Sequence, residues 1–327
     1  MQGVWDLIRL IFPYAIVFTI PLLITSLGGL FSERSGVVNI GLDGFMVFGS
    51  FVSAYTIKLL MPVLPNGDLA VWIGLLAATV AGAVFSLLHS FACVTLNANQ
   101  VISGTAINMI AYAVTVYIAR TITGSGNITI VHGIARTDIP VLSQIPVLGD
   151  LFFKSTYATT WVVLLILVVF AFILYRTAFG LRLRACGEHP HAADAAGINV
   201  YRTRYIAVAI SGAFSALGGA AILVTYSGEF NGNVAGLGFL ALAALIFGKW
   251  KPLGILGATF FFGFAATIAN VSQVIPFFTN LVDKSPFWAP LTLKAFPYVV
   301  TLIALVFFSK TTQAPRASGL PYDKGQR

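Results

Sequence analysis

Polar side chains stand in three clusters along a chain that is otherwise strongly apolar. Asn39 and Asp43 lie in VVNIGLDGF. Asn97, Asn99, Gln100, Ser103, Thr105 and Asn108 lie in LNANQVISGTAINMI. Glu229, Asn231 and Asn233 lie in YSGEFNGNVAGLG. Amides and hydroxyls offer donors and acceptors without a net charge. In hydrocarbon such groups are costly, so they face a bundle interior or a water-filled path. The chemistry on offer is hydrogen bonding to a neutral polar solute, with Asn39, Asp43, Asn97, Asn99, Gln100, Ser103, Asn108 and Asn233 as the candidate lining. The alternative is helix packing, in which Asn and Ser bond across helices and Gly lets backbones approach. Asp43 could also cap a helix or pair locally with Arg34.

Other chemistries are poorly served. His189 and His191 lie two apart in a loop, and His89 and His132 fall on separate segments, so no metal-ligand spacing is seen. Gly248-Lys249-Trp250 lacks the upstream glycine and the following Ser/Thr of a phosphate-binding loop. No Ser, Cys or His sits in a recognised nucleophile motif. Cys93 lies in an apolar stretch and Cys186 in a basic one, which argues against a disulfide. No catalytic residue and no metal site is assigned.

These clusters need elements to hold them. Hydrophobic residues are 58% of the chain and charged residues 9%, against about a quarter charged in soluble domains. Mean hydropathy is +0.90. Lipid must solvate most of such a chain, which restricts it to helices or a closed barrel. Continuous apolar runs such as YATTWVVLLILVVFAFILY (157–175) exclude the alternating pattern of barrel strands. A helix needs ~20 such residues to cross the hydrocarbon. The fold class is therefore all-α, a polytopic transmembrane bundle of about eight to ten spans. Nine segments are read: 8–30, 37–60, 70–96, 101–119, 157–176, 204–226, 233–248, 253–279 and 290–309. The segment 233–248 is short and glycine-rich, which suggests a broken or re-entrant helix. The first span reads as a retained helix, since no basic n-region or cleavage site marks a signal peptide.

Residues 1–310 form one transmembrane domain, and 311–327 a polar tail with Pro315 and Pro321 that is expected to carry little structure. The net charge of +8 sits in short loops between spans, where it sets orientation and does not suggest nucleic acid. Arg176, Arg182, Arg184, Arg202 and Arg204 cluster at the 177–203 loop. That loop and the C-terminus are placed in the cytoplasm, and the long 121–156 loop outside. Asn127-Ile128-Thr129 in that loop fits a glycosylation sequon, a pattern common by chance. Gly28-Gly29, Ser35-Gly36 and Gly41-Leu42-Asp43-Gly44-Phe45 are echoed by Gly218-Gly219, Ser227-Gly228 and Gly236-Leu237-Gly238-Phe239. On this topology the copies run in opposite directions. Inverted repeats build many transporters, and the competing explanation is chance recurrence of glycine.

The 177–199 segment, TAFGLRLRACGEHPHAADAAGIN, is the most specific feature. Pro190 suits a first helical turn and Gly197 a helix stop. Between them Ala192, Ala193, Ala195 and Ala196 make a helix of about two turns with a small-residue face. A partner's groove could approach such a face closely, or the helix could simply connect spans along the membrane.

Arg176-Thr177-Ala178-Phe179-Gly180-Leu181-Arg182-Leu183-Arg184-Ala185, followed by Gly187-Glu188-His189-Pro190, Ala192-Ala193 and Ala196-Gly197-Ile198, resembles the coupling segment of permease subunits in type II ABC importers. The group is the ribose and branched-chain amino acid permease family. Leu30-Phe31-Ser32-Glu33-Arg34-Ser35-Gly36-Val37-Val38-Asn39-Ile40-Gly41-Leu42 is similar to its nucleoside/simple-sugar subgroup. So are Ser103-Gly104-Thr105-Ala106-Ile107-Asn108 and Ile246-Phe247-Gly248-Lys249-Trp250-Lys251-Pro252-Leu253-Gly254. Asp43 departs from the usual Glu, and His191 from a frequent basic residue.

The resemblance implies a permease of the bacterial cytoplasmic membrane that carries nucleosides or simple sugars. It implies three protein partners besides lipid: a nucleotide-binding ATPase that holds the ATP and Mg, a second and often non-identical permease, and an extracytoplasmic solute-binding protein or lipoprotein. No cofactor is expected on this chain. Glu188, His189, Pro190, Ala192, Ala193, Asp194, Ala196 and Gly197 would carry the coupling. The rivals are a secondary transporter, for which Asp43 would be the coupling-ion residue, and a membrane scaffold without transport.

Overall fold

The computed structural model describes residues 4–271 and 314–325, with a few single positions between 288 and 303. The described helices are Val4–Arg34 (α1), Leu42–Leu60 (α2), Gly67–Ser90 (α3), Gln100–Thr123 (α4), Ala158–Arg176 (α5), Ala178–Glu188 (α6), Pro190–Ala195 (α7), Val200–Ile222 (α8), Leu237–Phe247 (α9) and Pro252–Val271 (α10). The expected segments 8–30, 37–60, 70–96, 101–119, 157–176 and 204–226 fall on α1, α2, α3, α4, α5 and α8. The expected 253–279 segment is α10 as far as Val271. Its remainder lies outside the described residues, as does the 290–309 segment apart from those single positions.

Among the described residues, five helical stretches are long and apolar enough to cross a membrane: Ile11–Arg34, Gly67–Thr95, Gln100–Thr123, Ala158–Arg176 and Val200–Ser227. The apolar window of α1 is 94% buried within the chain and that of α4 or α5 only 28%, so α1 is central and α4 and α5 are peripheral. Local chemistry sets the starts and stops. Asn66 accepts from Asp68 N–H to open α3, Asn99 accepts from Val101 and Ile102 N–H to open α4, and Asn199 accepts from Arg202 N–H to open α8. Gly124, at φ +76°, closes α4.

The halves α1–α3 and α8–α10 are arranged as an inverted pair. Gly28 of α1 lies against Ser211 of α8, and Gly218 of α8 against Pro21 and Thr25 of α1, so the two helices run antiparallel. α1 packs on α9 and α10 as α8 packs on α2 and α3. Lipid gives no hydrophobic drive between helices, so close backbone approach must supply the attraction. A methyl at Gly219 would strike the Met46 carbonyl, and one at Gly212 the side chain of Ser86.

In both halves the chain breaks at the same place. After α1 it turns at Ser35-Gly36, runs back into the bundle without helix, and starts α2 at Leu42. After α8 a π-helical turn, Leu223–Ser227, leads to Gly228 and an extended run before α9 starts at Leu237. The expected short segment is thus a half-helix. Its 11 residues rise about 16 Å, half of a ~30 Å hydrocarbon core.

At the end of the bundle away from α7, Ile128–Thr129 (β1) pairs antiparallel with Glu229–Phe230 (β2), Ile128 opposite Phe230. This ties the long 124–157 connection to the second broken stretch. Tyr157 Oη donates to the Thr225 carbonyl at 2.7 Å, and His132 Nε2 meets Asp68 Oδ1 at 2.8 Å. Arg9 and Lys154 both reach Asp150.

Candidate functional site

The two broken helices begin beside each other. Neither α2 nor α9 is capped by its own preceding residue, since Gly41 and Gly236 stand there. Free N–H groups at a buried helix start need acceptors. For α9 the acceptor is Asp43, whose Oδ1 takes the Gly238 N–H at 2.9 Å. Asp43 Oδ2 accepts from Tyr112 Oη of α4 at 2.5 Å. For α2 the acceptor is Asn108 of α4, whose Oδ1 takes the Gly44 N–H at 2.7 Å while its Nδ2 donates to the Ile40 carbonyl at 3.1 Å. A carboxylate at a helix start is also favoured by the helix dipole. Any side chain at Gly238 would strike the Asp43 backbone.

This site is deep. Ser26 Oγ donates to the Ala241 carbonyl near the start of α9. Ser26 precedes the end of α1 at Arg34 by roughly 12 Å of helix. Asp43 thus takes the capping role and not the alternative local pair with Arg34. Arg34 donates instead to the Trp250 carbonyl at 2.8 Å and faces Glu188 at 3.9 Å. Trp250 Nε1 in turn donates to the buried Glu33 at 2.5 Å. This knot joins α1 to the turn between α9 and α10.

A second polar group fixes the first broken stretch. Asn39 Nδ2 donates to Ser211 Oγ at 2.9 Å, and its Oδ1 accepts the Gly41 N–H. Gln100 Oε1 accepts the Val38 N–H at 2.6 Å, and its Nε2 has no partner among the described residues. His89 bridges Ser103 Oγ at 2.9 Å and the Val38 carbonyl at 3.1 Å. Asn39, Asp43, Gln100, Ser103 and Asn108 therefore converge on the 37–44 stretch. Asn97, at φ +51°, and Asn99 are exposed at the start of α4. Asn233 is exposed in the other broken stretch, where its Oδ1 accepts the Ala235 N–H at 2.7 Å. His89, Tyr112 and Ser211 escaped the sequence reading. The signal for His89 is its place inside an apolar run, where a polar side chain needs partners.

At the end near Ser35, α6, α7 and the start of α8 form the exposed segment singled out from sequence. Pro190 takes the first helical position and His189 Nδ1 accepts the Ala192 N–H at 3.2 Å. Gly197, at φ +81°, closes the helix, with Ile198 N–H returning to the Ala193 carbonyl at 3.0 Å. The helix is six residues, shorter than the two turns expected. Glu188, His189, His191, Ala192, Ala195, Ala196 and Gly197 are exposed and Pro190 is half-buried. Ala193 faces inward, packed with Cys186, Val200 and Tyr322, and Asp194 is half-buried. Burial pushes the Cys186 thiol above its ordinary range. Both cysteines are free.

The tail departs from expectation. Residues 314–325 are not a loose polar end: Pro315, Ala317 and Tyr322 are buried against this segment. Ala317 N–H donates to the Gly187 carbonyl at 2.8 Å and Gly319 N–H to the Gly36 carbonyl at 3.2 Å.

The described residues form an all-α membrane bundle with an antiparallel α1–α8 pair, two neighbouring broken-helix starts and a short exposed helix, α7. The chain belongs to the family described as branched-chain amino acid transport system, permease component, whose pattern matches residues 11–307. It is similar to the guanosine ABC transporter permease protein NupQ of Bacillus subtilis, 44% identical over 98% of this chain and 99% of that one. The nucleoside ABC transporter permease protein NupC of Lactococcus lactis is 38% identical over 99% of this chain and 100% of its own. The putative glucose ABC transporter permease protein TsgC13 of Haloferax volcanii is 30% identical over 90% of each. No solved structure matches the chain.

Proposed function

We propose that this chain is the permease subunit of an ATP-driven nucleoside importer in a bacterial cytoplasmic membrane. It forms half of the translocation path, and a second permease, often non-identical in this group, supplies the other half. ATP and Mg belong to a partner ATPase, and a solute-binding protein or lipoprotein delivers cargo at the 124–157 face. The end carrying α7 and the C-terminus is cytoplasmic. Higher identity to guanosine and nucleoside permeases than to the glucose permease favours nucleosides over simple sugars.

The observation that carries the coupling role is α7. It is a capped, exposed helix with a small-residue face, joined through Glu188 to Arg34 of the central helix. Glu188, His189, Pro190, Ala192, Asp194, Ala196 and Gly197 meet the ATPase, and Ala193 holds the helix down. In the path, Asn39, Asp43, Gln100, Ser103 and Asn108 shape the wall by fixing the broken helices. Asn97, Asn99 and Asn233 are exposed, and the side-chain amide nitrogens of Asn99 and Asn233, whose oxygens hold local turns, are the groups offered to solute.

The test uses the complete importer in proteoliposomes with tritiated guanosine. Gly197→Pro removes the φ +81° turn, and Glu188→Arg reverses the charge facing Arg34. Both should abolish uptake while the complex still assembles and hydrolyses ATP. Normal uptake by both variants would defeat the assignment of α7.

A further inference from the structure

The C-terminal segment sits where no polar tail is needed for a fold. Arg204, on the first turn of α8, is 1% exposed, and among the described residues no carboxylate pairs with it. A buried guanidinium must then turn to neutral acceptors, and its Nη2 has none among the described residues. Its Nε donates to the Ser35 carbonyl at 3.2 Å and its Nη1 to the Leu320 carbonyl at 3.2 Å. One acceptor comes from the α1–α2 turn and the other from the tail. The tail thus contributes to housing a buried charge.

The same segment touches α6, α7, α8 and the Ser35–Gly36 turn. Ala317 N–H bonds the end of α6 at Gly187, and Gly319 N–H bonds the turn at Gly36. Gly36, at φ +95°, has no room for a side chain, which would meet the Arg204 guanidinium and the Ala317 carbonyl. Tyr322 inserts its ring under α7 against Ala193, Cys186 and Val200. Its ring lies 5.1 Å from His191 and 5.4 Å from Tyr201, and Lys324 faces Asp194 at 3.8 Å. From Ser35-Gly36 the chain re-enters the bundle to Asn39 and Asp43, so this turn is the root of the first broken helix.

We infer that residues 314–325 are a strap that links α7 to the Ser35–Gly36 turn, with Tyr322 as the residue that positions α7. The inference rests on the reading of α7 as the coupling helix. A push on α7 reaches the tail through the Tyr322 ring and the Asp194–Lys324 contact. It reaches the turn through Ala317, Gly319 and Leu320. Small packed displacements pass through such a junction because close-packed interiors transmit strain. Without the strap, α7 keeps its ATPase-facing surface and loses this connection to the broken helix.

The test compares wild type, Tyr322→Phe, Tyr322→Ala and a chain ending at residue 313, each in the complete importer. Tritiated guanosine uptake and ATP hydrolysis are measured on the same proteoliposomes. Tyr322→Phe keeps the ring and should transport within twofold of wild type. Tyr322→Ala and the truncated chain should hydrolyse ATP but consume at least tenfold more of it per guanosine delivered. In a Cys93→Ser background, maleimide labelling of Cys186 should rise at least tenfold on truncation, reporting that the strap has left. Unchanged stoichiometry with faster Cys186 labelling would overturn the strap as a coupling element. Failure of both tail variants to assemble would overturn it too, in favour of a folding role. Gly197→Pro runs alongside: if it uncouples while the tail variants do not, the strap fails and α7 stands. If it leaves transport normal, the reading of α7 itself fails.

Discussion

The two halves of the bundle repeat one plan but serve their helix starts differently. In the first, Gly41-Leu42-Asp43-Gly44-Phe45 starts a helix; in the second, Gly236-Leu237-Gly238-Phe239 does so. Asp43 has no acidic counterpart at Gly238. The carboxylate of one half serves the helix start of the other, and the missing side chain at Gly238 makes room for it. The α2 start is served instead by Asn108 of α4, outside the repeat. An exact duplication would place two carboxylates face to face, which cannot both stay ionised at close range. Asymmetry is what lets the starts of α2 and α9 share one junction.

Breaking the junction at Asp43 should have the largest effect. Asp43→Leu leaves the Gly238 N–H and the Tyr112 hydroxyl without acceptors, at about 1–3 kcal/mol each. Thermal unfolding of the detergent-solubilised complex should show the loss, with uptake abolished. A variant as stable as wild type would mean the carboxylate is not structural. Asp43→Asn keeps one oxygen for Gly238 and should cost clearly less. Gly238→Val should approach the leucine variant in severity, because its side chain has nowhere to go except into the Asp43 backbone.

Asn108→Leu removes the cap of the other half. Two backbone groups lose partners, and a fall in uptake of about tenfold is expected with assembly intact, since ~1.4 kcal/mol is a factor of ten. Loss of the ATPase subunit on purification would instead assign Asn108 to packing alone. Tyr112→Phe removes one donor to Asp43 and should cost about 1 kcal/mol of stability. At the far end of the scale, Asn233→Ala should leave stability unchanged, because among the described residues its side chain bonds within its own exposed turn. A raised guanosine KM with unchanged melting would place it in the path; no kinetic change would remove it from the lining.

Much of this was readable in the residues. Pro190 and Gly197 delimit α7 because their backbone preferences act locally. The 233–248 segment announced a broken helix by its length and glycines. The polar clusters were legible as positions but not as pairs. Asp43 finds Tyr112 and Gly238, and Asn39 finds Ser211, across separations that no local pattern encodes. Of the two local roles open to Asp43, capping a helix and pairing with Arg34, the structure shows the first: the re-entry of the 36–41 stretch carries Asp43 to the start of α9. The tail was misjudged because its order comes from Arg204, a buried cation that needs carbonyls, and nothing in a polar, proline-containing end signals that demand.

Energy coupling in vesicles separates an ATP-driven permease from a gradient-driven one. Guanosine uptake is followed with the complete importer, once with ATP and no ion gradient, and once with a proton or sodium gradient and no ATPase subunit. Accumulation is expected in the first case and none in the second. Uptake driven by the gradient alone would contradict ATP-driven import, and would make Asp43 the residue at which to look for the coupling ion.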